Sequence, residues 1–152
     1  MKLNYDGQEK INATREQVWT FINDPHKVVY CLPDLQKAEI IDDKNFAAHV
    51  KVGLGPVRGK FKFNVTLEPK QDEDKMIVKL RGGGLGTVID LEAGADIKQQ
   101  ADATTVLDWS GEAEVRGPAA TVGGRVLDRK AKELITHVFA EVSRKVNEEQ
   151  AA

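Results

Sequence analysis

Three histidines, one cysteine and a scatter of carboxylates are the residues of this 152-residue sequence best suited to chemistry. His26, His49 and His137 fall on a short helical stretch, a strand and the final helix, and each reads as a surface or rim residue. His26 and Cys31 are near neighbours, but two ligand types do not make a zinc site. Cys31 would act as a nucleophile only beside an activating base, and no base is placed there by the local sequence. Asp90, Glu92, Asp108, Glu112 and Glu114 alternate onto the polar side of strand-like segments, which makes them solvated faces rather than acid–base pairs. Gly53, Gly55 and Gly59 miss the spacing of a dinucleotide fingerprint, as does the run Gly82–Gly86, and nothing resembles a phosphate-loop lysine. No catalytic residue, metal or cofactor is assigned.

Composition narrows the classes further. Lys and Arg number 22 against 24 Asp and Glu, a formal net charge of -2 with no basic stretch, so a nucleic-acid partner is not expected. A single cysteine excludes a disulfide framework and fits a reducing cytoplasm. MKLNYDGQEK lacks a signal-peptide core, and no apolar run is long enough to span a bilayer. One soluble cytoplasmic domain over residues 1–152 is expected.

Those residues must be positioned by elements whose periods are legible. Residues 1–11 suit a strand. Thr14-Arg15-Glu16-Gln17 has the form of a capping box, predicting a helix over 14–23, and a second short helix follows over 26–32. From Leu35 to Val115 the period is two: Phe61, Phe63, Val65 and Leu67 point one way, and Lys60, Lys62, Asn64 and Thr66 the other. The same alternation recurs in about six segments, with turns at Asp42–Asn45 and Gln71–Asp74. The last segment returns to helical spacing over 118–147, with Pro118 at its first position and a stripe including Leu127, Leu134, Val138, Val142 and Val146. Gly123 and Gly124 then fall inside that helix, costing roughly 1 kcal/mol each. The fold class predicted is α+β: a curved antiparallel sheet of six or seven strands gripping a long C-terminal helix, with two short helices plugging one end.

Small residues gather at the helix start and at Gly53–Gly55 and Gly82–Gly86. Close backbone packing and an open space compete as explanations, and the number of glycines favours a space. The cavity wall is placed at Tyr30, Leu32, Leu54, Phe61, Phe63, Leu80, Leu107 and Trp109 from the sheet and end-plug. Val122, Val126, Leu127 and Lys130 face it from the helix, with Arg125 and Lys130 the cations nearest a mouth. The mouth is expected where the two glycine-rich strand ends meet residues 117–124, with Leu54 and Leu85 either exposed at its tips or folded inward as lids. Inward strand positions are almost all apolar, only Thr87 and Thr105 breaking the pattern, which favours binding of an apolar small molecule over catalysis.

The stretches NDPHKVVYCLPDL, KVGLGPVRGKFKFNVTLE and AEVRGPAATVGGRVLDRKAKELITHVF resemble the CoxG family of carbon monoxide dehydrogenase subunits, within the Bet v 1/START-like (SRPBCC) superfamily. The position after Pro33, usually glycine in that family, is Asp34 here. The resemblance implies a helix-grip fold with a lipophilic cavity. It also implies an accessory role beside a CO dehydrogenase-type molybdenum hydroxylase, including carriage of a quinone or other lipid-like ligand and recruitment to the inner face of the membrane. Family members often continue into a Pro-rich or membrane-binding tail; this sequence stops at Ala152, so anchoring by such a tail is not expected. The superfamily also contains polyketide cyclases and hydrolases, the enzymatic alternative.

Overall fold

The computed structural model describes the backbone of residues 1–151 and the side chains of residues 1–149. Seven antiparallel strands form one sheet in the order β1-β7-β6-β5-β4-β3-β2. They are β1 (Lys2–Ile11), β2 (Leu35–Ile40), β3 (Asn45–Leu54), β4 (Val57–Lys70), β5 (Lys75–Gly84), β6 (Thr87–Gln99) and β7 (Thr105–Arg116). Hairpins join the strands in sequence from β2 to β7, and β1 crosses to pair with β7, Tyr5 lying opposite Gly111. The alternation read from the sequence is the alternation observed: Phe61, Val65 and Leu67 of β4 are buried while Lys60 and Lys62 are exposed.

Between β1 and β2 lie α1 (Arg15–Ile22), α2 (Pro25–Val28) and a 3-10 turn, Val29–Cys31. The Thr14 capping box is formed in both directions: the Gln17 amide donates to Thr14 Oγ1 and the Thr14 amide to Gln17 Oε1. Val18, Phe21, Val29 and Cys31 bury this end-plug against Ile11, Phe46, Leu107, Val142 and Val146. Asp34 has φ 56°, the left-handed region that glycine occupies most readily, which gives a physical reason for glycine at that turn.

The helix start departs from expectation. Pro118–Val122 is a separate 3-10 turn, Gly123 has φ 98°, and α3 (Gly124–Ala151) begins only after it. The two glycines therefore lie at a break, not inside a helix, and no interior penalty arises. Gly123 is required because a residue with a Cβ strains at that φ.

The glycines of β5 have the opposite explanation. A Cβ built on Gly82 would come 2.0 Å from the Lys62 carbonyl oxygen, and one on Gly84 2.4 Å from that of Lys60. Close backbone approach to β4, rather than open space, accounts for this run.

Candidate functional site

The inner face of the sheet is covered by α3, but unevenly. Leu127 near its start and Val142 and Val146 near its end are buried; every residue over 128–141 is half-buried or exposed. Leu134 lies two turns from Leu127 on the same helix face, yet it is 37% exposed. Ala131, Ile135, Val138 and Phe139 of the same stretch are also only half-buried. The facing strands agree: Phe63, Leu80, Ile89, Leu91 and Trp109 point inward and are half-buried. The backbone contacts of α3 with the sheet fall mainly on β1 and β3 rather than on the middle strands. α3 is thus buried near both ends, while its middle stretch stands half-exposed above the apolar inner face of β4–β7.

Two clamps hold this arrangement. At the start of α3, Leu54, Val115, Ala119 and Leu127 form a small core of their own, with Val57 and Val122 packed against it. The hairpin tips and residues 117–124 do converge as expected: the Ala119 amide donates to Thr87 Oγ1 at 3.1 Å. They close that end with side chains, however, and Leu54 is 4% exposed, a lid rather than a tip. Leu85, by contrast, is 54% exposed. Tyr5 on β1 donates its hydroxyl to Asp128 Oδ1 at 2.6 Å, tying the first turns of α3 to the sheet. Burial, then this hydrogen bond to a carboxylate, pushes the phenol up to about 12. At the other end, Cys31 is buried beneath the last turns of α3, and burial pushes its thiol up to about 11, an inert group rather than a nucleophile.

Of the wall residues named from sequence, Leu32, Phe61, Phe63, Leu80 and Leu107 join the main core, and Leu54, Val122 and Leu127 the smaller one. Val52, Val57 and Ile89 touch both cores and make the wall continuous. Val126 and Lys130 are half-buried on α3, and Arg125 is exposed. Trp109 stacks on Phe139, ring centroids 5.7 Å apart, and its indole lies over Gly7, where a Cβ would come within 2.9 Å. Tyr30 is not brought to the wall: it is 58% exposed, its carbonyl accepting from Lys145 Nζ at 2.8 Å.

Among the described residues, two buried side-chain atoms, Trp109 Nε1 and Glu114 Oε2, have no hydrogen-bond partner. The buried polar residues among those described are Thr87, Thr104 and Thr105. Thr87 serves the Ala119 amide, and Thr105 donates to the Ala13 carbonyl at 2.7 Å. Among the described residues no group of three metal-ligating side chains assembles, and no helix is long and apolar enough to cross a membrane. Sequence reading missed Gly7, Ala131 and the Tyr5–Asp128 pair; the inward alternation of β1 was the available signal for Tyr5.

The solved structures similar to this chain share its fold. A conserved protein from Geobacillus kaustophilus superposes with TM-score 0.87 at 25% identity, covering 96% of each chain. A START superfamily protein from Mycobacterium smegmatis gives 0.73 at 16% identity, over 98% of this chain and 99% of that one. Norcoclaurine synthase from Thalictrum flavum gives 0.70 at 18%, over 99% and 97%. No curated protein sequence matches significantly. The family model for CoxG, a carbon monoxide dehydrogenase subunit, matches residues 7–147, nearly the whole described domain, and the chain belongs to that family.

Proposed function

We propose that the chain binds an apolar small molecule in the chamber between the middle of α3 and the sheet, without chemical change. The observation that carries this reading is the half-exposure of Leu134 and its inward neighbours along a helix whose two ends are buried. A core closed on itself would bury all of them. Family membership supports a finer version: a quinone or other lipid-like cargo, held by an accessory factor of a CO dehydrogenase-type molybdenum hydroxylase. Trp109 is the built-in reporter, and a Trp19→Phe background isolates its emission. Titration with a quinone such as menadione, and separately with a fatty acid, is expected to change Trp109 fluorescence and raise the melting temperature by mass action. No response to either would sink the reading. Co-elution with the hydroxylase tests the accessory role separately.

An enzymatic reading rests on the Tyr5–Asp128 pair at the edge of the chamber and on a fold shared with a synthase. A turnover that disappears in Tyr5→Phe, while ligand affinity persists, would favour it.

A further inference from the structure

Trp109 is the one large inward side chain of β7 that joins neither buried cluster. Its neighbours across β1 and β6 are small, Gly7 and Ala95. With no side chain on Gly7, the indole lies against β1: a Cβ built there would meet Cζ2 at 2.9 Å and Nε1 at 3.2 Å. Phe139, from the half-exposed middle of α3, stacks on the ring. Nε1 is shut off from solvent and donates to nothing among the described residues. A buried donor without an acceptor is costly to a folded chain and rare, so the position calls for an acceptor that the chain does not supply. The other polar groups on the inward face of β1 do not serve it. Tyr5 is a donor itself and is spent on Asp128. Glu9, two residues along the same face from Gly7, makes no hydrogen bond or ion pair among the described residues.

We propose that Trp109 Nε1 fixes the polar end of the bound molecule, and that this molecule is an apolar body carrying a neutral acceptor oxygen, a ketone-type carbonyl or an ether. The inference rests on the binding reading above and narrows its ligand class. The oxygen reaches the N–H by displacing Phe139 from the indole, and Phe139 lies on the stretch of α3 that is least buried. A hydrocarbon of the same shape would leave the donor unpaired, the condition under which a site discriminates most strongly between isosteric ligands. Glu9 sets the charge. A carboxylate held at the indole would stand about 7 Å from it along the strand, with no cation paired to Glu9 to offset the repulsion.

The experiment is equilibrium dialysis of the full chain against 2-acetylnaphthalene and 2-ethylnaphthalene, which are close in shape and differ in the acceptor oxygen. Trp109→Phe keeps an aromatic ring and removes the donor. It is expected to weaken the ketone about five- to tenfold and the hydrocarbon by no more than about twofold. Gly7→Ala keeps the donor but pushes the indole off β1, and should also weaken the ketone more than the hydrocarbon. The infrared carbonyl stretch of the bound ketone should fall below its value in hexane and return towards that value in Trp109→Phe. 2-Naphthoate is expected to bind more weakly than the ketone and to gain about threefold in Glu9→Gln. Equal losses of both naphthalenes in Trp109→Phe, a carbonyl stretch indifferent to the substitution, or naphthoate held more tightly than the ketone would each overturn the proposal. If both naphthalenes bind and only the discrimination is missing, the binding reading stands without it. If neither binds the parent, the binding reading falls and takes this proposal with it.

Discussion

A methyl group added at Gly82 would sit 2.0 Å from the Lys62 carbonyl oxygen, whereas nothing lies within 4 Å of one added at Gly123 or Gly124. Three alanine substitutions therefore separate three uses of the same residue. Gly82→Ala must push two paired strands apart and is expected to cost at least about 2 kcal/mol. Gly123→Ala has room but keeps φ 98°, and is expected to cost about 1–2 kcal/mol from backbone strain alone. Gly124→Ala has room in a helical position and is expected to be neutral or to gain about 0.5 kcal/mol by reducing the freedom of the unfolded chain. Urea midpoints rank the three. A Gly82→Ala protein as stable as the parent would contradict the close approach of β4 and β5. Glycine count alone cannot distinguish these circumstances, which is why glycines read from sequence as a sign of open space turn out to be a strand contact and a helix break.

At the scale of elements, the sheet was legible because period two is a local property: each of β3–β7 carries its own alternation. The capping box was legible for the same reason. What was not legible is the uneven cover that α3 provides. Leu127 and Leu134 look equivalent in the sequence, the same residue type two turns apart, yet one is 4% and the other 37% exposed. The difference is made by what stands opposite: Leu54, Val115 and Ala119 close around Leu127 at the start of α3, while Leu134 belongs to neither buried cluster. Ala131 lies on that uncovered stretch. Ala131→Phe is expected to fill part of the chamber, leaving the melting temperature within a few degrees while lowering affinity for an apolar probe about tenfold or more. Tight binding that survives Ala131→Phe would place the ligand elsewhere.

For the molecule as a whole, the two groups with strongly raised ionisation sit at the two ends of the grip. Tyr5 holds the start of α3 through Asp128, and Cys31 lies under its end. Both native values exceed the ordinary ones, about 12 against 10.0 for the tyrosine and about 11 against 9.0 for the thiol. For a group of raised value, the unfolded chain loses its proton first. The stability it contributes is complete below the unfolded value and is lost as pH climbs towards the native one. For Cys31 that window runs from 9.0 to about 11 and for Tyr5 from 10.0 to about 12, so stability falls with rising pH across both. Because Tyr5 ties one end of the helix to the sheet and Cys31 is packed in the core under the other, release of a bound apolar probe should accelerate in the same windows. The Cys31→Ala protein is expected to lose the lower part of this pH dependence and Tyr5→Phe the upper part, read as denaturant midpoints and probe off-rates between about pH 8 and about pH 11. Tyr5→Phe, unable to ionise but also unable to reach Asp128, should release the probe faster than the parent even at neutral pH. An off-rate that stays flat through both windows, while the midpoint falls, would mean that the chamber empties by a route the grip does not control.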